Sequence, residues 1–354
     1  MDWIKNLKIV ELAGVLAGPS VGMFFAELGA NVTKIEPKGH GDVTRHWRVP
    51  GETAEKAVSA YYASINWGKN VLFKDLRDSA DLDEVQALCK DADIIIANFN
   101  RERCEAFSLG YEAIVQGNLN VIYASLTGFG PDDPRPAFDV VLQAEAGFLY
   151  MCGEPNGNPV KMPVALIDVI AAHHLKEGIL LALLKRKATG KGSLVEVSLY
   201  QAAIASLVNQ ASNYLNVGFV PQKMGCQHPN IAPYGDYFTT ADNKQIVLAV
   251  GSDAQFLHLT MVLGIKDSEI SNFKKNQDRV EKRDALIELL HDKIKDWKSD
   301  ALATQLQQKK IPFGIIKDMK EVFENPMARS MILEEQHADG SISKRVSSMA
   351  FSIK

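Results

Sequence analysis

The chain is poor in cysteine, with four among 354 residues, Cys89, Cys104, Cys152 and Cys226. No pair of them stands at a metal-ligand or redox spacing, and four separate thiols fit a reducing compartment. No stretch reaches ~18 uninterrupted apolar residues, so no membrane span is expected. The N-terminal Met-Asp-Trp-Ile-Lys-Asn carries an early acid and lacks the apolar segment of a signal peptide, so a cytoplasmic location is expected. Neither sign of charge dominates. With 39 basic and 43 acidic side chains the net charge is -4, and nothing global draws in nucleic acid or an acidic membrane. An anionic ligand must be held by local Lys, Arg and helix N-termini.

Several catalytic signatures are also missing. No Gly-x-Gly-x-x-Gly follows the first strand-like run. Gly39-His40-Gly41 lacks the third glycine and the strand-to-helix setting, which disfavours a dinucleotide fold. Thr189-Gly190-Lys191-Gly192-Ser193 follows a helical segment instead of preceding one, so it reads as a helix end with Gly190 as the stop, not as a phosphate loop. His173 and His174 are adjacent and cannot share a metal as an i, i+4 pair can. No Gly-x-Ser-x-Gly elbow is present, which argues against a serine hydrolase.

What is there is a regular alternation. Strands are expected over residues 7–12, 31–36, 71–76, 93–99 and 121–127, with helices over 19–28 and 82–90. β-rich runs such as Ile94-Ile95-Ile96 within that alternation predict an α/β fold, a parallel sheet covered by helices. Residues 39–68, with Gly39, Gly41, Pro50 and Gly51, read as a long surface loop. Helices are expected over 139–151, 169–187 and 201–215, and a strand over 193–199. Residues 216–233 are punctuated by Gly and Pro and read as a linker. Strands over 235–240 and 245–250 follow, then helices to about 309, then short strands around one helix, 319–323.

Polar groups fall where strands of such a sheet end or helices begin, which is where ligands bind. The small-residue turn Gly14-Val15-Leu16-Ala17-Gly18-Pro19 admits a ligand to the backbone, or is simply tight. Arg45 in the loop Gly41-Asp42-Val43-Thr44-Arg45 suits a phosphate, or is a solvated arginine. Asn98-Phe99-Asn100 could hold an adenine, or cap a helix. Phe138-Asp139 opens a helix. Asp168 follows the apolar run Pro163–Ile167 and precedes a long amphipathic helix, where a carboxylate is either a cap or a nucleophile.

Taken in order, these stretches resemble the class III CoA-transferases, the family that includes formyl-CoA:oxalate and carnitine CoA-transferases and 2-methylacyl-CoA racemases. The likeness is carried by Leu-Ala-Gly-Pro (16–19), Glu-Leu-Gly-Ala-Asn-Val-Thr-Lys-Ile-Glu (27–36), Gly-Asp-Val-Thr-Arg (41–45) and Asn-Trp-Gly-Lys (66–69). It continues through Asn-Phe (98–99), Ser-Leu-Thr-Gly-Phe-Gly (125–130), Phe-Asp-Val-Val-Leu-Gln-Ala (138–144), Asp168, residues 186–192 and Pro-Tyr-Gly-Asp-Tyr-Phe-Thr-Thr (233–240).

The resemblance implies a discontinuous Rossmann-like large domain beginning with residues 1–215, a linker over 216–233 and a smaller α+β domain over 234–310. It implies a segment over 311–354 returning to the large domain, and a homodimer of interlinked rings. It implies no permanently bound cofactor, with coenzyme A and acyl-CoA as substrates beside a small carboxylic acid. Asp168 would be the nucleophile. CoA would lie against Val15, Leu16, Ala17, Arg45, Lys74, Arg77, Asn98, Phe99 and Asn100, with Phe138 and Asp139 near the thiol end and Gly251 in a loop lent to the active site. A helix N-terminus would keep Asp168 ionised, and Leu16, Phe138, Tyr150 and Met151 hint at an apolar acyl pocket.

Two departures bear on function. The racemases carry a His-Asp pair where this chain has Phe138-Asp139. Phenylalanine cannot move a proton, which favours transfer over racemisation; chain length pulls the other way. The family's arginine eight residues beyond the Asn is Ala106 here, leaving Arg101 or Arg103 to replace it. A non-catalytic CoA-binding protein, keeping Arg45 and Asn98 without needing Asp168, is the third reading.

Overall fold

The computed structural model describes residues 2–53, 58–99 and 101–353. The chain divides into two compact units. The first comprises residues 1–148, 161–211 and 329–354, and the second residues 149–160 and 212–328.

The first unit is built on a six-stranded parallel sheet of β1 (Lys8–Leu12), β2 (Asn31–Pro37), β3 (Asn70–Lys74), β4 (Ile94–Ala97), β5 (Ile122–Thr127) and β6 (Ser193–Ser198). Its order is β3-β2-β1-β4-β5-β6, with every pair parallel. This is the doubly wound order, whose switch point lies between β1 and β4. The missing glycine fingerprint therefore bears on the ligand and not on the topology, correcting the expectation against a dinucleotide-type fold. β4 is buried along its whole length, as a central strand covered on both faces must be.

The helix Ala17–Glu27 packs on one face of the sheet beside the long helix Leu166–Thr189, through Val21, Phe25, Ala171, Leu175 and Ile179. Gly29, at φ +93, turns the chain after the first helix, and Gly190, left-handed at φ +68, ends the second. Gly22 is dictated by contact instead of conformation. A Cβ there would stand 1.9 Å from Glu11 Oε2, so only glycine lets the helix pass the buried Glu11 carboxylate.

Three expectations need revision. Residues 39–68 are not one loop, since they hold a 3-10 turn, Val43–His46, and a helix, Ala60–Asn66, capped by the Ser59 hydroxyl. The expected helix over 139–151 is broken into Asp139–Glu145 and Phe148–Met151, with Gly147 at φ +85 between them. The long helix begins at Leu166, three residues before the expected start.

In the second unit, β7 (Tyr234–Thr239), β8 (Gln245–Ala249) and β9 (Phe313–Ile315) form an antiparallel sheet. Four helices, Asp253–Val262, Asn276–Glu281, Arg283–Ile294 and Ser299–Gln308, enclose a core around Phe238, Leu248, Leu259, Leu290 and Leu302. Residues 216–233 belong to this unit. Their Gly and Pro suggested a linker, but Arg279 holds the Ala232 carbonyl at 2.8 Å and Arg283 the Ile231 carbonyl at 3.0 Å, partners that lie about fifty residues onward. Residues 311–328 also stay with this unit, because β9 completes its sheet; the return to the first unit begins at Arg329. There β10 (Ile332–Gln336) and β11 (Ile342–Val346) form a hairpin.

Candidate active site

Two adjoining clefts of about 1120 Å³ and 790 Å³ open at the C-terminal ends of the strands around the switch point. They share Gly14, Val15, Asn98, Phe99, Pro136, Ala137 and Phe138. All residues lining both belong to the first unit.

The wall between β1 and the helix Ala17–Glu27 is the turn Ala13-Gly14-Val15. Val15 stands at φ +71, a costly conformation for a β-branched residue. Asn98, at the end of β4, is fully engaged with this turn. Its Oδ1 accepts from the Gly14 N–H at 3.2 Å and its Nδ2 donates to the Gly14 carbonyl at 3.0 Å. Asn98 therefore holds protein backbone while also lining both clefts. Phe99 lines both clefts and remains available to an aromatic ring. Asn100 and the side chain of Arg101 lie outside the described residues.

Beneath the turn runs a buried ionic network. Lys34 reaches Glu11 at 2.9 Å and Asp42 at 3.1 Å, and Lys69 reaches Glu11 at 2.8 Å. Burial alone would raise the Asp42 carboxyl, but the Lys34 ammonium and the Thr44 hydrogen bonds outweigh it and hold the group below its ordinary range. Lys69, wholly buried, is pushed down to about 8, with Glu11 opposing the shift.

The expected phosphate ligands are distributed unevenly. Arg45 forks onto Glu36, at 2.6 and 3.0 Å, and bonds Tyr62 Oη at 2.6 Å. It does not line either cleft, so its expected phosphate contact is replaced by a bracing role for the Gly41–His46 segment. Lys74, Arg77 and Arg103 do line the larger cleft. Lys74, itself largely covered, is paired with Asp81 and Glu84, and Arg77 with Asp75 in a solvated pair that an anion can rearrange cheaply. Arg103 is thus the described arginine that faces the cleft near the family's missing one.

Asp168 lines the smaller cleft together with Leu16, Ala17, Phe138 and Leu199. It is the third residue of its helix, not the cap. Ala165 occupies the cap position and makes no side-chain capping bond. The first-turn N–H of Ile167 is taken instead by Asp139 Oδ1, at 2.8 Å, from the start of the helix Asp139–Glu145. Asp139 Oδ2 accepts from Gln143, whose Oε1 accepts the N–H of Met162 at 2.9 Å. Asp139 is therefore structural at this helix start, where a contact near the thiol was expected. Asp168 is 8 % exposed, and among the described residues no group hydrogen-bonds its carboxylate. Burial, and secondarily the Asp139 charge, pushes it up to about 7.

Val15, Leu16 and Ala17 lie on the smaller cleft, and Phe138 is half exposed on both. Tyr150 and Met151 belong to the short helix Phe148–Met151, and Tyr150 bonds Gln222 within the second unit. Gly251 follows β8 in that unit, its N–H held by Gln255 Oε1 at 2.9 Å. Tyr61 escaped the sequence reading. Burial raises its hydroxyl, and the charges of Asp168, Asp139 and Asp42 add to the shift, so it stands within electrostatic reach of Asp168. It sits on the helix mistaken for loop, and nothing in its local sequence marks it. Among the described residues no His, Cys, Asp and Glu cluster could hold a metal ion.

Fold and site together define an α/β protein with two clefts at a doubly wound switch point, one of them lined by the buried Asp168 carboxylate, which no described residue hydrogen-bonds. The description of CoA-transferase family III matches residues 4–353. The chain is 33% identical to a succinate–glutarate CoA-transferase of Agrobacterium fabrum, over 96% of this chain and 86% of that protein. It is 31% identical to the human succinyl-CoA:glutarate CoA-transferase, over 94% and 76%. A crystal structure of a CAIB/BAIF family protein from Brucella suis superposes with a TM-score of 0.84 at 35% identity, covering 99% of this chain and 92% of that one. The chain belongs to CoA-transferase family III and is an enzyme of that class.

Proposed function

We propose that the enzyme moves CoA from an acyl-CoA donor to a small carboxylic acid through covalent intermediates on Asp168. The observation that carries this reading is the buried Asp168 carboxylate, free of capping duty and open to the cleft. The ionised carboxylate attacks the thioester carbonyl and expels CoA thiolate, leaving a mixed anhydride. The thiolate attacks the aspartyl carbonyl, giving aspartyl-CoA and the departing carboxylate. The acceptor carboxylate then attacks aspartyl-CoA, forming a second anhydride and thiolate, and the thiolate takes the acceptor acyl group and restores Asp168. No proton is transferred, and thioester energy is kept only if water is excluded.

CoA spans the larger cleft, with Lys74, Arg77 and Arg103 toward its phosphates and Phe99 toward its base. The relatives named for succinate, glutarate, oxalate and mesaconate make short dicarboxylates the first acceptors to try. We read the protein as a cytoplasmic homodimer of interlinked chains. Exposed Leu181, Leu184 and Val208 support a self-association face, which sedimentation measures directly.

One observation favours a second reading: a carboxyl raised to about 7 suits proton transfer, as in a 2-methylacyl-CoA racemase. Phe138 stands where the second proton carrier is needed. Incubation with succinyl-CoA and hydroxylamine, followed by peptide mass spectrometry, separates the readings. A hydroxamate on Asp168 is expected. Its absence with intact CoA binding sinks transfer through Asp168, and α-proton exchange with inversion of a chiral 2-methylacyl-CoA in deuterated water, without adduct, establishes racemisation.

A further inference from the structure

Three consecutive residues at the end of β1 have four backbone groups held by side chains from elsewhere. Lys34 Nζ donates to the Ala13 carbonyl at 2.6 Å. Asn98 takes both the N–H and the carbonyl of Gly14. Asp42 Oδ2 accepts the Val15 N–H at 3.2 Å. Side chains that satisfy backbone so completely outside regular structure fix its conformation instead of merely tolerating it.

Asp42 is the centre of this clamp. Its Oδ1 accepts from the Thr44 N–H at 3.0 Å and the Thr44 hydroxyl at 2.7 Å, and its Oδ2 also pairs with Lys34. All three side chains are buried. A Cβ on Gly14 would come to 3.3 Å from Asp42 Oδ2, so the carboxylate lies directly against the turn.

The clamped turn feeds the helix Ala17–Glu27, which has an apolar cap residue, Leu16, and no acid in its first turn. Among the described residues the N–H group of Ala17 has no partner. Ala17 lines the same cleft as Asp168, itself buried and without a hydrogen bond. A donor at a helix start and a nucleophile across one cleft make a site where negative charge can develop on a carbonyl oxygen between them.

We propose that Asp42, oriented by Thr44 and neutralised by Lys34, is a positioning residue for acyl transfer, locking the Val15 turn so that the Ala17 N–H group receives the thioester oxygen while Asp168 attacks. The proposal rests on the reading of Asp168 as the nucleophile. Its effect belongs to the rate of acylation and not to CoA affinity, because Asp42, although it lines the larger cleft, has its carboxylate taken up by Val15, Thr44 and Lys34.

The test is single-turnover formation of the Asp168 adduct from succinyl-CoA, beside calorimetric binding of free CoA and thermal melting, for wild type, Asp42→Asn and Thr44→Val. Asp42→Asn is expected to slow acylation on the order of 10–100-fold, the scale of a misplaced reacting group, with CoA affinity kept within about threefold. Thr44→Val, which removes one bond to Asp42 and leaves the Lys34 pair intact, is expected to slow it about three- to tenfold, in line with losing one buried hydrogen bond. An unchanged acylation rate in a folded Asp42→Asn, or a fall matched by equal loss of CoA affinity, overturns the proposal. If Asp42→Asn does not fold, an unchanged rate in Thr44→Val overturns it. Absence of the adduct in wild type overturns the nucleophile reading and this inference with it, whereas adduct in all three at one rate overturns the clamp alone.

Discussion

Asp139 Oδ1 accepts the backbone N–H of Ile167, the residue before Asp168, at 2.8 Å. A carboxylate on one helix thus caps the helix that carries the proposed nucleophile, and it stands close enough to raise the nucleophile's own carboxyl. The Asp139 charge discourages ionisation of Asp168.

Activity is therefore expected to rise with pH through about 7, as Asp168 becomes the carboxylate that attacks. In Asp139→Asn the amide can still accept the Ile167 N–H while the charge is gone. The midpoint of kcat/KM against pH should move down in that variant, with burial keeping it above the ordinary aspartate range. A pH–rate profile with an unmoved midpoint would refute the coupling.

The same shift fixes the sign of a stability effect. Asp168 has a higher pKa folded, about 7, than its ordinary 3.8. Between those values the unfolded chain has already lost a proton that the folded chain keeps, so stability falls as pH rises and the full cost is present above about 7. Asp168→Asn removes that cost. It is expected to melt higher than wild type at pH 8, by a difference on the order of a few kcal/mol, and to show no such gain near pH 3. Melting curves at both pH values check this.

Function and affinity separate at the same position. Asp168→Ala is expected to lose turnover by about a thousandfold or more, as removal of a covalent nucleophile does, while its calorimetric affinity for CoA stays within a few-fold. Retained turnover would show that Asp168 is not the nucleophile.

The returning C-terminal segment is anchored on one buried pair. Arg345 bonds Glu27 at the end of the helix Ala17–Glu27, and Ser347 Oγ bonds the same carboxylate at 2.8 Å. Both charged side chains are nearly inaccessible. Arg345→Met leaves Glu27 buried without its cation and should cost about 3–5 kcal/mol in urea unfolding, and a Glu27→Gln, Arg345→Met double variant should cost less than the sum of the singles.

Gly22→Ala brings a methyl group against Glu11 Oε2, where the carboxylate pairs with Lys69. Displacement of that carboxylate is expected to destabilise the protein by about 1–3 kcal/mol, as overpacking does. A shift in the urea midpoint at constant slope measures it.

Much of the first unit was legible in the chain. β1 to β5 lie within one or two residues of the runs expected, because apolar β-branched runs between helical segments have few other solutions. The helix Ala60–Asn66 was not legible. It has seven residues and no apolar stripe, and it is held by the Ser59 cap and by Tyr62 bonded to Glu36. Arg45 and Asn98 were noticed, but local sequence does not say whether a polar side chain faces a ligand or a backbone partner. Their partners are Glu36 and Tyr62 for one and Gly14 for the other.

The sequence by itself determined the parallel α/β sheet, the placing of small and polar residues at the strand ends, the family, and an aspartate near the start of a long helix. Those follow from periodicity and from residue order along the chain. Only the tertiary structure decided that Asp168 does not cap its helix, that Asp139 does so in its place, and that Asp42 grips the turn facing them. The reason is physical. Hydrogen bonds and desolvation depend on which groups meet in space, and Asp139 meets Ile167, and Asp42 meets Val15, across 28 and 27 residues of chain.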